Sequence, residues 1–314
     1  MMLETVPYNV TELLQERREG AVRALIRTLG FALAKGIGPE QVGRFLFESH
    51  ALSGTFVRMG APGSPEAART FLTWQEGIRW GWCEELRALP RAGSVEVVSG
   101  SLLVGQGSVL GFHGVSRLDV EACLETFWRL AGEALGLGVT YTIGEEQDWL
   151  ILRAPGGLAD GGAPAPWTPE RLAELRRHAL ATGLIAGIGF AKQIGEEPED
   201  LGLFFYNVWD GSGHYDRLLN QWGWGNAVGY AQNMARGRQL LYLATEVRED
   251  LDGFLITSPG WGREMPSTLA LYAVTHDDVT RYYEGGGIPA CAKLGLQYAD
   301  RSDDHFHRVW IRSR

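Results

Sequence analysis

Residues 34–47 read Ala34-Lys35-Gly36-Ile37-Gly38-Pro39-Glu40-Gln41-Val42-Gly43-Arg44-Phe45-Leu46-Phe47. A second stretch repeats the theme as Ala191-Lys192-Gln193-Ile194-Gly195, then Pro198-Glu199-Asp200-Leu201-Gly202-Leu203-Phe204-Phe205-Tyr206. From Pro39 onward the spacing is a constant 159 residues, carrying Ser53-Gly54, Phe56 and Arg58 onto Ser212-Gly213, Tyr215 and Arg217. Further along, Trp80-Gly81-Trp82 answers Trp222-Gly223-Trp224, and Gly138-Val139-Thr140-Tyr141 answers Gly295-Leu296-Gln297-Tyr298. Both stretches close on an apolar run ending in Arg153 or Arg312. Several matches in one order read as a tandem duplication. Residues 155–167, nearly all Gly, Pro, Ala and Asp, have linker composition. The expected organisation is a first repeat over 1–154, structural or degenerate, the linker 155–167, and a second repeat over 168–314 that carries the site.

Each copy follows one coarse plan. Val22, Leu25, Ile26, Leu29 and Leu33 share one face of an opening helix, and Thr168-Pro169 supplies a helix cap followed by proline in the second copy. A second helix starts at Pro39 or Pro198, and a third is expected over Trp74–Leu86 and Trp222–Met234. Strands are expected at Val95–Val104, Val109–Phe112, Leu240–Val247 and Phe254–Thr257, which are rich in β-branched and aromatic residues. A helix follows, over Asp119–Leu135 in the first copy and over His276–Tyr283 and Pro289–Leu294 in the second. The copies close on hairpins, Val139–Ile143 with Trp149–Arg153 and Leu296–Ala299 with Phe306–Ile311. Helices precede strands rather than alternating with them, so the class is α+β with antiparallel sheet.

The 314 residues, 45% hydrophobic and 21% charged, suit a folded globular protein. A net charge of −9 argues against a nucleic-acid partner. No run reaches the length of a membrane helix, and MMLETVPYNVTELLQERREG lacks the basic and apolar regions of a signal peptide. The expected location is therefore the cytoplasm, with no membrane partner. Cys83, Cys123 and Cys291 are odd in number, form no CxxC pair, and read as buried free thiols. The 11 tryptophans need large apolar surfaces to cover in a core, at an interface or around a ligand.

Standard catalytic motifs do not occur. There is no GxxxxGK[ST], GxSxG or HExxH, and Gly36-Ile37-Gly38 lacks the third glycine of a dinucleotide fingerprint, Gln41 standing there. The comparison of copies is more informative. In the loop after the second helix, Ala51, Thr55 and Val57 of the first copy answer Asp210, His214 and Asp216 of the second. An Asp-oriented His is a general base or ligand-pairing group near neutral pH. Trp209, Tyr215, Arg217, Trp222, Trp224, Asn226 and Tyr230 would wall a ligand beside it. The same residues also fit ordinary loop chemistry and, for Trp-Gly-Trp, shared core packing. A second group, His305 and His307, would share a strand face about 7 Å apart. With His276 and Asp277 or Asp278, or else His214, approaching in space they would start a site for a divalent metal, the one cofactor the pattern suggests; solvent-facing hairpin histidines are the alternative. Glu145, Glu146 and Asp148 read as a polar turn, and Cys291 as a buried thiol.

Each copy ends in the order helix, short strand, acidic turn, last strand: Leu124–Leu135, Val139–Tyr141, Glu145–Asp148 and Trp149–Arg153, against Ala290–Leu294, Leu296–Tyr298, Ser302–His305 and Phe306–Ile311. This order resembles the closing segment of 4-vinyl-reductase-type small-molecule-binding domains and of the aminothiazoline-carboxylate hydrolase group. The resemblance implies helices ahead of an antiparallel sheet enclosing a small, often apolar ligand. Such domains often carry a cysteine after the acidic turn, where Phe306 stands here, so no catalytic residue is carried over. The leading functional expectation is a cytoplasmic binding or sensing protein with an aromatic or apolar ligand in the second repeat. The alternatives are a hydrolase- or lyase-like enzyme using His214 with Asp210 or Asp216, with or without a metal held by His305 and His307, and a structural or partner-binding homo-oligomer joined through its tryptophans.

Overall fold

The computed structural model describes residues 3, 6–154, 167–250 and 252–314; residues 155–166, most of the linker read from composition, lie outside these. The fold is α+β, with two similar halves of helices and a four-stranded antiparallel sheet. Contacts divide the chain into two compact units, Leu14–Gly183 and Met1–Leu13 with Leu184–Arg314. This division differs from a cut at the linker, because residues 168–183 belong to the first unit and residues 1–13 to the second.

The first half opens with α1 (Val10–Ala34) and α2 (Pro39–Leu52), with a single 3-10 turn at Val57–Met59 before α3 (Pro65–Arg79). Strands β1 (Leu86–Arg91) and β2 (Ser94–Gly100) lead to α4 (Gly107–His113) and α5 (Arg117–Ala134), then to β3 (Gly138–Ile143) and β4 (Gln147–Arg153). The second half has α6 (Pro169–Gln193), α7 (Pro198–Gly211), α8 (His214–Trp222) and α9 (Ala227–Leu241), then β5 (Glu246–Asp250) and β6 (Gly253–Pro259). It continues with α10 (Trp261–Glu264), α11 (Pro266–Leu271) and α12 (His276–Lys293), and ends on β7 (Leu296–Asp300) and β8 (Phe306–Ser313). Sheet orders are β1-β2-β4-β3 and β5-β6-β8-β7. Alternation buries Val95, Val97 and Ser99 of β2 with Asp148, Leu150 and Leu152 of β4.

The 159-residue spacing reaches further than the sequence matches first show. Ser116 caps α5 with Asp119 closing a capping box, and Thr275 and Asp278 do the same for α12. Gly43 of α2 lets the helix approach α5, a Cβ there falling 2.2 Å from the Cys123 carbonyl oxygen. Gly202 of α7 does the same 2.1 Å from the Tyr282 oxygen of α12. The closing hairpins also keep this spacing: Tyr141 faces Leu150 and Asp300 faces Val309. Gly295 therefore corresponds to Gly136, both left-handed at φ 74° and 65° after their helices, and not to Gly138. The Trp-Gly-Trp match is likewise corrected, since Trp80 follows α3 while Trp222 ends α8, ahead of α9.

Several elements differ from the sequence expectation. The third helix begins earlier, at Ser64-Pro65, whose hydroxyl accepts the Ala67 N–H at 3.1 Å. In the second half Gly223 ends one helix at φ 82°, and the Asn226 side chain caps the next by accepting from Gly229 N at 2.9 Å. Residues 109–112 are helical rather than extended. Their turn is closed by left-handed Gly114 and held by tertiary contact, the His113 oxygen lying 2.8 Å from where a Cβ of Gly30 would stand. Leu240 and Leu241 end α9, and the strand starts only at Glu246. The helix after Thr275 is unbroken through Pro289, as the glycines at 285–287 leave the preceding turn uncrowded.

Ala273 occupies the place of Gly114 and has φ 53°, a conformation that L residues with a Cβ avoid. Both positions end a short helix, with Val115 N bonded to Leu110 O at 3.0 Å and Val274 N to Leu269 O at 2.9 Å. A Cβ at Gly114 meets nothing within 4 Å, so substitution there isolates the backbone cost. Gly114→Ala should destabilise the protein by about 1 kcal/mol, and Ala273→Gly should leave stability unchanged or raise it by a similar amount. Urea unfolding of both variants checks the pair.

Candidate functional site

The residues Asp210, His214 and Asp216 lie together at the junction of α7 and α8, but their pairing is not the expected one. Asp210 is ion-paired with Lys293 of α12, and Asp216 reaches the same ammonium at 3.1 Å. Among the described residues, no hydrogen bond or ion pair joins His214 to either carboxylate. Its ring instead stands edge-on to Trp209 at 4.4 Å and to Tyr215 at 5.2 Å. Tyr206 and Tyr215 lie 5.2 Å apart, just as Phe47 and Phe56 lie 5.4 Å apart in the first half. The aromatic cluster thus has a plainly packed counterpart.

Its other members have structural work. Arg217 donates to Ser212 O at 2.9 Å, matching Arg58 to Ser53 O at 2.8 Å. Trp222 covers Gly229, and the largely exposed Trp224 lies across Gly295. Tyr230 is a core residue beside Cys291, whose thiol burial pushes up to about 12. All three cysteines are free and buried.

The three histidines separate by environment. His305 lies in the turn before β8 and is exposed, so it does not share a strand face with His307. His307 is buried on the inner face of the sheet, with the half-buried His276 ring 5.3 Å away. Among the described residues, no group of three His, Cys, Asp or Glu side chains could hold a metal. The histidine pair alone is an incomplete ligand set.

What surrounds His307 follows from the 159-residue spacing, which also relates Arg79 to Arg238, Ser99 to Ser258 and Asp148 to His307. In the first half, Arg79 at the end of α3 is fully buried. It donates to Val97 O at 3.0 Å, Ser99 Oγ at 2.6 Å and Asp148 O at 3.2 Å. The Asp148 carboxylate, far from being a polar turn, is buried and accepts from Leu102 N at 2.9 Å and the Tyr141 hydroxyl at 3.3 Å. Burial raises its pKa, opposed by these bonds and by the Arg79 charge. In the second half, Arg238 of α9 donates to His307 O at 3.0 Å, and Ser258 pairs with Thr245 at 3.0 Å.

The His307 ring then sits among aromatic walls. Tyr242 is 5.4 Å away, Trp261 5.7 Å and Tyr283 6.0 Å, with the Tyr242 and Tyr283 hydroxyls bonded at 3.1 Å. Among the described residues, neither ring nitrogen of His307 has a hydrogen-bond partner, nor does the Trp261 indole nitrogen. Sequence reasoning does not single out Arg79, Asp148, Arg238, Tyr242, Trp261 or Tyr283 as site residues. The constant spacing is the available signal for the arginines and for position 148, whereas nothing local marks the aromatic walls.

No family model matches the chain, nor does any curated protein or solved structure. No helix among the described residues is long and apolar enough to cross a membrane.

Burial, then the charges of Arg238 and His276, push the His307 pKa down to about 3. His50 and His113 are each pushed down to about 4, mainly by burial. As pH falls below the ordinary histidine value of ~6.5, the unfolded chain takes up protons that these folded residues refuse, so stability is lost through that window. Each such residue contributes a slope of about 1.4 kcal/mol per pH unit. Urea unfolding from pH 6.5 to 4 should show this loss, and His307→Phe should make the slope shallower by about one proton's worth. An unchanged slope would place His307 in water.

Proposed function

We propose that the chain is a small-molecule-binding protein whose ligand meets His307 in the second half. The observation that carries this reading is a fully buried imidazole among Tyr242, Trp261 and Tyr283, with neither nitrogen paired among the described residues. A buried polar group left unpaired costs about 1–3 kcal/mol, and the Trp261 N–H adds a second such group. Sites that hold small ligands combine apolar and aromatic walls with a few converging polar atoms. The half-buried His276 ring lies 5.3 Å from that of His307. The expectation of an aromatic or apolar ligand in the second half thus moves from residues 204–230 to the inner face of the sheet. The resemblance of the closing segments to small-molecule-binding domains agrees with it.

His307→Leu tests the reading. A panel of small aromatic and aliphatic compounds is screened by ligand-observed NMR and by tryptophan fluorescence. Binders of the natural sequence should lose at least tenfold in affinity for the variant, while its thermal midpoint stays equal or rises because an unpaired polar group is gone. Affinity undiminished in a folded His307→Leu protein would remove the site from this centre.

A further inference from the structure

Resting on that reading, the geometry points to a small carboxylic acid as the ligand, its carboxylate taking beside His307 and Arg238 the role that Asp148 plays beside Arg79. The two halves serve as each other's control. They share the buried arginine, the serine on the neighbouring strand and the bond from the arginine to the carbonyl of position 148 or 307. In the first half the chain supplies its own carboxylate. Asp148 accepts from the Leu102 N–H and the Tyr141 hydroxyl, and its charge faces Arg79.

In the second half that anion is replaced by an imidazole, and the cation is kept. Among the described residues, Arg238 has no carboxylate partner; its contacts are the His307 carbonyl and the Tyr242 ring, 5.7 Å from the guanidinium carbon. Trp261 stands at the position of Leu102, and among the described residues its backbone N–H has no acceptor. Its indole N–H is also unpaired. The charged groups acting on His307 are Arg238 and His276 on one side and Asp303 on the other. Asp303 is already engaged by Arg308. Other acids stand further round the cluster, with Glu264 acting on Tyr242, and Asp300 on Tyr283 and Tyr298. Asp300 is tied through one oxygen to Ser302 N at 2.7 Å, and neither acid is among the groups acting on His307. Among the described residues, the position therefore offers unpaired donors and a cation without an ion pair, which a carboxylate satisfies through charge-assisted bonds. An amide of the same shape brings no charge, and an ammonium brings the wrong one.

The full chain is titrated with acetate, propionate and benzoate, with acetamide, propionamide and benzamide, and with ethylamine and benzylamine, by ligand-observed NMR and thermal shift. At least one acid should bind, and at least tenfold more tightly than its amide, with the amines not binding. His307→Asp, which restores the group found in the first half, should abolish acid binding and keep the fold. Amides or amines that bind as tightly as the acids, with loss in His307→Leu, would overturn the carboxylate assignment and leave the binding reading standing. If no acid, amide or amine binds the natural sequence, the carboxylate assignment falls by itself; the wider panel of the preceding experiment decides the binding reading. The acid-against-amide comparison needs no variant, so it decides the matter even if His307→Asp does not fold.

Discussion

A buried guanidinium holds each half of this protein together. Arg79 and Arg238 stand in the last turn of a helix and reach across to the carbonyl of a strand residue, position 148 in one half and 307 in the other. Burying a cation is costly, and a hydrogen bond to a strand carbonyl offsets part of that cost in each half. The helix must therefore keep its height above the sheet, and the strand must keep its register. A slip of one residue would turn the whole inward set of β4 or β8 outward. The same bond thus selects which side chain is enclosed beside the arginine.

That selection is where the halves part. Asp148 accepts from Leu102 and Tyr141 and faces Arg79, so the first half holds its own carboxylate at this place. Among the described residues, the His307 ring nitrogens and the Trp261 N–H groups have no hydrogen-bond partner and Arg238 makes no ion pair. The frame around the two centres is common: capping boxes at Ser116 and Thr275, close helix approaches at Gly43 and Gly202, and left-handed turns at Gly136 and Gly295. Inside that shared frame the exchange of Asp148 for His307 removes the carboxylate that faces the arginine in the first half.

Much of that frame is legible in the amino-acid sequence. The final hairpins, the α+β class and the opening helices follow from alternation, capping and spacing that are local in the chain. Errors arise where local preference and tertiary contact disagree. Val109–Phe112 has strand-like composition, yet the close passage of His113 over Gly30 and the turn at Gly114 make it helical. Trp-Gly-Trp looks like one repeated motif and is two unrelated ones. Asp210 and Asp216 look like partners for His214, but Lys293, distant in sequence, takes both. Asp148 looks like part of a polar turn because its neighbours Glu145 and Glu146 are one.

The sequence by itself determined the two-part plan, because a spacing of 159 residues is a property of the chain alone and survives any arrangement in space. It also determined which residues differ between the halves, including the exchange of Asp148 for His307 once the spacing is followed to the end. Only the tertiary structure decided which of those differences are buried together. Burial depends on strand register and on helices that meet across many intervening residues. Desolvation then sets the worth of each unpaired group, which is why the proposed site is placed at the enclosed His307 and not at the partly exposed His214.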